Sequence, residues 1–283
     1  MDASIKKILH FPITKIILGI GLCFSLFVGI QNFISKPFLY STISDKNIAD
    51  PIIHSISLLV LLFGYYMIFR LYDRREISEL SLKYLGKDML VGVSLGFLTI
   101  SLSIFILYLL GYYQFLSIST EHYSLRLFGV LMVAALLEDL FVRGIVIRVC
   151  EKWLGTHTTL IIGVLIEMDH LFNPNLTLFS VLTIAIWGFT TSMLFIYTKR
   201  IWFPFFFHLG WNFAQPFYGS NLTGLDNMGS IIQSKWSGSE LLTGGAVGIE
   251  DSIFTTFFLL TIGVILYILA RKEGKIIKRG KSF

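Results

Sequence analysis

Charge is scarce in this chain of 283 residues: Asp, Glu, Lys and Arg make up 14%, against 54% hydrophobic residues. A soluble domain carries about 25% charged and about 45–50% apolar residues. The shortage excludes an ordinary soluble domain and points to a polytopic membrane protein with little outside the bilayer. Cysteine is nearly absent. Cys23 and Cys150 lie within or at the end of apolar runs and are read as packing residues. Two cysteines so far apart exclude a disulfide framework and leave the redox compartment unread. No cleavable signal peptide stands out. The first apolar run is too long for a signal core and no small-residue cleavage site follows it, so an anchor helix is expected there. Internal repeats and low-complexity tracts are lacking. So are GxSxG and HExxH, and no Ser or Cys nucleophile has a recognisable setting. The net charge of +5 is no nucleic-acid signal, because the basic residues gather at helix ends.

What is present is apolar length. About 20 apolar residues cross a bilayer as a helix. On that measure eight segments stand out: Ile13–Ile34, Ile52–Leu71, Met89–Tyr113, Leu125–Val149, Thr158–Phe172, Leu178–Tyr197, Ile201–Tyr218 and Ile253–Ala270. The fifth and seventh are short and polar, which marks them as buried within the bundle. With the N-terminus inside, 18 of the 23 Lys and Arg fall on the cytoplasmic side and 4 (Lys36, Lys46, Arg126 and Lys235) on the other, with Arg143 inside a span. That bias supports an all-α bundle of about eight transmembrane helices with both termini cytoplasmic. The expected organisation is N-terminal helices and anchor over 1–74, a core over 75–252, and the last helix with a basic tail over 253–283. Apolar residues spaced among charges over Asp73–Lys87 suggest an amphipathic interfacial helix, with a solvated loop as the alternative. The long loop Gly219–Asp251 holds Gly244, Gly245 and Gly248, which imply tight turns or close backbone approach.

Three of these helices carry polar groups at membrane depth. An ionised group at the centre of a bilayer helix costs about 2.5–3.5 kcal/mol on insertion scales. Yet Glu138, Asp139 and Arg143 fall within six residues of the fourth helix. Asp139 and Arg143 are four apart and can pair on one face, whereas Glu138 lies about 100° round the helix and faces elsewhere. Glu138 is therefore the candidate reactive group, and the Asp139–Arg143 pair a structural ion pair. The fifth helix carries Glu167, Asp169 and His170. The two acids are ambiguous, and the simpler expectation places them wet at the outer end of a short helix. The seventh carries His208 and Asn212, four apart and on one face. Any one of His170, His208 and Asn212 alone would serve equally well as a structural hydrogen-bonder. His10, His54, His122 and His157 sit near segment ends and read as interfacial. Lipid cannot satisfy groups on three helices, so they are expected to turn inward and meet.

Glu, two His and Asn suit the addition of water to a carbonyl. A carboxylate can take a proton from water, imidazoles bind a metal or donate to an oxyanion, and a carboxamide N–H donates to the same oxygen. At these residues the sequence resembles the CAAX prenyl protease and bacteriocin-processing (CPBP, or Abi) family of intramembrane proteases. Its motifs EExxxR, FxxxH and HxxxN correspond to "EDLFVRG" at Glu138–Gly144, "IEMDH" at Ile166–His170 and "HLGWN" at His208–Asn212. The resemblance covers roughly Arg75 to Ser252. Asp139 stands where the motif has its second Glu, one methylene shorter, and Ile166 where it has Phe.

The resemblance implies a bundle with a conical cavity open to the cytoplasmic side and to lipid. It implies that Glu138 activates water, that His170 assists, that His208 and Asn212 stabilise the oxyanion, and that Asp139 and Arg143 are structural. A divalent metal, zinc, would take His170 and His208 as ligands, though the same groups work without one. The implied partner is a membrane peptide, lipidated in eukaryotes and a pheromone or bacteriocin precursor in bacteria. Compact loops favour a bacterial plasma membrane. Two other functions compete. One is a transporter or proton pathway, disfavoured by the lack of an inverted repeat. The other is an inactive immunity or scaffold protein, for which Asp139 is the only pointer.

Overall fold

The computed structural model describes residues 7–119, 125–225 and 229–279. Eight helical runs stand where the eight apolar segments were read. The first is α1 (Pro12–Ile30), which passes through a π-helical turn at Gln31–Ser35 into α2 (Lys36–Thr42). Then come α3 (Lys46–Tyr72) and α4 (Leu85–Leu109). The fourth run is α5 (Leu125–Glu138), a π-helical stretch at Asp139–Ile147 and α6 (Arg148–Leu154). The remainder are α7 (Thr156–Glu167), α8 (Leu178–Thr198), α9 (Trp202–Phe217) and α11 (Ile253–Lys272), with the short α10 (Glu240–Thr243) in the loop before the last.

Among the described residues, five stretches are long and apolar enough to cross a membrane: Pro12–Thr42, Lys46–Tyr72, Ser78–Leu109, Leu178–Thr198 and Ile253–Lys272. Their outward residues are apolar, among them Leu59, Phe63, Leu90, Phe105 and Phe257, as a lipid-facing surface requires. The three runs outside that set are the ones that carry the motifs. One of them, α9, is buried on every side except at Phe203, Phe213 and Phe217, and so forms the centre of the bundle.

Two close crossings fix that centre. At Gly96 on α4 a Cβ would lie 2.1 Å from the Phe207 carbonyl oxygen, and at Gly210 on α9 one would lie 2.3 Å from the Val93 carbonyl oxygen. Only glycine lets these backbones approach so nearly, the device by which membrane helices pack. On the far side, a Cβ at Gly163 of α7 would meet Ser192 Oγ at 2.3 Å, and one at Gly188 of α8 the Gly163 carbonyl oxygen at 2.9 Å.

The Lys/Arg-rich segments share one end of the bundle. Lys15 pairs with Asp73 at 2.7 Å, Arg148 approaches Asp73 and Glu79 at 3.7 and 3.5 Å, and Arg200 pairs with Asp88 at 2.6 Å. Lys199 pairs with Glu151, and the Thr156 N–H donates to the Ile277 carbonyl at 2.9 Å. No amphipathic helix forms over Asp73–Lys87. Two 3₁₀ turns, Ser78–Leu80 and Leu82–Tyr84, lead into α4. The reason is Glu79, buried and held by Arg75 and the Tyr65 hydroxyl, which draws the segment onto the bundle.

At the other end the loops carry β1 (Tyr113–Ile118) and β2 (Ile232–Trp236), an antiparallel pair with Tyr113 opposite Trp236. This small sheet was not foreseen. Its first strand is exposed except at Tyr113 and shows no alternation of burial. The glycine turns of the long loop are as expected: Gly244, Gly245 and Gly248 have φ of 81°, 54° and 118°. A Cβ at Gly248 would fall 2.1 Å from the Asn221 carbonyl oxygen.

Candidate functional site

The fourth helical run presents Glu138, Asp139 and Arg143 where its winding changes from α to π at Asp139. Such widened turns recur at functional sites. Arg143 is fully buried. Its Nε lies 3.4 Å from Asp139 Oδ1, its Nη2 lies 2.6 Å from Glu167 Oε1, and it also donates to the Thr191 hydroxyl. The expected Asp139–Arg143 pair is therefore present, but it is one arm of a three-helix knot. Glu167 is not wet. It is 2% exposed and answers the buried guanidinium, while Asp169, with a side chain 71% exposed, is the solvated acid of that motif.

Asp139 has a second task. Its Oδ2 lies 3.3 Å from His208 Nδ1. With the carboxylate oxygen as acceptor, Nδ1 carries the proton and Nε2 is the free ring nitrogen. That Nε2 is 3.8 Å from Glu138 Oε2. Adjacent acids thus approach the two nitrogens of one imidazole, instead of facing apart as the 100° step suggests. His170 is held likewise. Its Nδ1 lies 2.9 Å from Asp169 Oδ1 and 3.2 Å from the Glu167 carbonyl oxygen, both acceptors, so its Nε2 is also the free nitrogen.

On α9 the residues His208, Trp211, Asn212 and Gln215 recur at helical spacing and make one polar stripe. The opposite face holds Gly210 against α4, so the tight crossing there aims the stripe. Together with Glu138, Asp169 and His170, the residues His208, Trp211 and Asn212 line a cavity of about 400 Å³. Trp187, Ser180 and Thr183 of α8 form its other wall, and Asn173, Leu222, Thr223 and Leu225 reach it from the loops. Of the three acids around Arg143, Glu138 is the one with access to this space: its side chain is 34% exposed, against 1% for Asp139 and 3% for Glu167.

Glu250, in a 3₁₀ turn at Ile249–Asp251, also lines the cavity. Its Oε2 accepts from Gln215 Nε2 at 2.7 Å and Trp211 Nε1 at 3.3 Å. Burial pushes its carboxyl above the ordinary glutamate range, opposed by those two donors. Sequence reasoning missed both Glu250 and Gln215. The signal was there in the i, i+3, i+4, i+7 stripe of α9, whose last polar member needed a partner. Asp251 accepts from Ser180 Oγ at 2.7 Å and from Thr177 Oγ1 at 3.2 Å. It thereby pins the loop to the N-terminus of α8, where negative charge is favoured.

Other expectations resolve simply. His10 stacks on Tyr72, His157 bonds the Tyr267 hydroxyl at 3.0 Å, and His54 is half-buried over Gly129. His122 lies outside the described residues. Both cysteines are buried and unpaired in disulfides. Among the described residues, no group of three or more His, Cys, Asp or Glu side chains is gathered closely enough to hold a metal ion. Among the described residues, His170 and His208 are the histidines that line the cavity.

Neither the comparison with curated proteins nor that with solved structures gave a match. A family model described as type II CAAX prenyl endopeptidase Rce1-like matches residues 120–214. All three motifs, from Glu138 to Asn212, lie inside the matched segment. The match covers about a third of the chain and agrees with the family that its motifs resemble, in a chain whose apolar helices mark it as an integral membrane protein.

Proposed function

We propose that the cavity hydrolyses a peptide bond of a membrane-associated peptide, with Glu138 as the base that activates water. The observation that carries this reading is the meeting of Glu138, His170, His208 and Asn212, drawn from three helices, on one partly wet cavity. In the proposed step Glu138 takes a proton from water, and the oxygen adds to the scissile carbonyl carbon. The carbonyl oxygen becomes an oxyanion. Hydrogen-bond donors placed where that charge develops lower the barrier; the Asn212 amide N–H supplies one, and a histidine Nε2 becomes one once its ring takes up a second proton. The C–N bond then breaks, and the proton held by Glu138 passes to the departing nitrogen. General acid–base help of this kind is worth about 10²–10⁴-fold. Asp139 is a positioning residue, holding His208 through Nδ1. Its shorter side chain still reaches both His208 and Arg143, which supports an active site and weakens the scaffold reading.

The test is incubation of the purified protein in detergent micelles or liposomes with membrane-anchored peptides, read by mass spectrometry. Cleavage by the wild type and loss in Glu138→Gln, with unfolding temperature unchanged, is the expected result. Equal cleavage by the variant removes Glu138 from the mechanism.

A further inference from the structure

The cavity has a definite end of the bundle. Its non-helical lining comes from the 173–177 connection and the long loop before α11, represented by Asn173, Thr223, Leu225 and Glu250. These loops are joined to one another: Asn175 Nδ2 donates to the Gly224 carbonyl at 3.2 Å, and the Gly224 N–H to the Val247 carbonyl at 2.8 Å. They are tied to the β1–β2 end by the Ser237 N–H, which donates to the Tyr112 carbonyl at 2.9 Å. The Lys/Arg-rich segments all stand at the opposite end, linked by the Lys15–Asp73, Arg148–Glu79, Arg200–Asp88 and Lys199–Glu151 pairs. Among the described residues, no Lys or Arg lines the cavity.

Basic segments stay on the cytoplasmic side of a membrane. From the two placements we infer that the cavity opens on the non-cytoplasmic face, and that its substrate is a peptide segment presented from that face, either exported or outside the membrane beside its own anchor. This is the reverse of the cytoplasmic opening that the family resemblance implies. It excludes a soluble cytoplasmic tail as the substrate, because such a tail would approach the basic end, opposite the loops that line the cavity. Two nearly bare apolar side chains support entry along the lipid. Phe172 is 92% exposed and Leu178 is 91% exposed, and they flank the 173–177 connection at the cavity rim. The sidedness follows from the structure and charge alone, and the peptide substrate rests on the hydrolytic reading above.

The test uses the full chain in cells. The native cysteines are 3% and 4% exposed, so the wild type is the unlabelled control. Leu225→Cys places a thiol at the rim, where Leu225 is 39% exposed, and Ser81→Cys places one at the basic end, where Ser81 is exposed. A membrane-impermeant maleimide is expected to label Leu225→Cys in intact cells and Ser81→Cys only after permeabilisation. The second arm is a single-span anchor with a randomised juxtamembrane peptide, displayed outward or inward; Glu138-dependent cleavage of the outward form alone is expected. Labelling of Ser81→Cys first, or of both alike in intact cells, overturns the sidedness whatever the peptides do. Cleavage of the inward form alone overturns the substrate. The expected labelling with neither form cleaved overturns the hydrolytic reading while the sidedness stands.

Discussion

Arg143 is the residue on which the site's order depends. Its guanidinium, fully buried, joins Asp139 of its own helix to Glu167 of α7 and Thr191 of α8. Removing one partner of a buried ion pair costs about 3–5 kcal/mol, because the other charge is left unanswered. Arg143→Ala should therefore lower the unfolding temperature sharply, read by thermal unfolding in detergent. Arg143→Lys should restore little, since a compact ammonium does not reproduce the planar fork that serves three partners. Asp139→Asn tests a different role. It keeps the volume but removes the charged acceptor that fixes the His208 tautomer. Cleavage should fall by about 10²-fold or more, as when a catalytic histidine loses its orienting carboxylate. A merely structural role would leave the shape of the pH–rate profile unmoved; a positioning role shifts it. Spacing alone revealed the Asp139–Arg143 pair, because four residues make one helical turn. It did not reveal Glu167, because a partner 24 residues away on another helix leaves no periodic mark.

The helices are set by glycine. Gly96 and Gly210 let α4 and α9 touch backbone to backbone, and that contact turns the polar stripe of α9 to the cavity. Gly96→Ala adds one methyl where a carbonyl oxygen stands 2.1 Å away. Overpacking of this kind costs about 1–3 kcal/mol. The variant should lose stability and cleavage together, although Gly96 does not line the cavity. Normal cleavage by a stably folded Gly96→Ala would show that the crossing does not aim His208 and Asn212. Helix positions were legible because long apolar runs leave few alternatives. The change to π winding at Asp139 was not legible, nor was the β1–β2 pair. A π turn is chosen by tertiary contacts around Asp139 and Arg143. The strands pair across more than 100 residues of chain, and the first of them lacks the burial alternation that marks a strand. Asp73–Lys87 takes neither a long interfacial helix nor a plain solvated loop, for a related reason. Its apolar spacing fits an interfacial helix, but the buried Glu79 has stronger claims from Arg75 and Tyr65.

For the whole molecule, function depends on a polar cavity held inside an apolar body. Glu250 shows how the loops complete it, through donors from Gln215 and Trp211. Burial raises its carboxyl pKa in the folded state. A raised folded value means that the contribution to stability is full below the ordinary glutamate pKa and is lost as pH rises through the raised one. Glu250→Gln cannot ionise. Its unfolding temperature should fall less than the wild type's as pH rises through that window, and parallel curves for the two proteins would contradict this. The three motifs made the cavity's floor readable from sequence, while its loop wall became visible only once the chain was folded. The most direct measurement is the rate of cleavage of a membrane-anchored peptide by wild type and by Glu138→Gln, both shown to be folded. Loss of cleavage by about 10²-fold or more is the predicted result. An unchanged rate in Glu138→Gln would contradict the account.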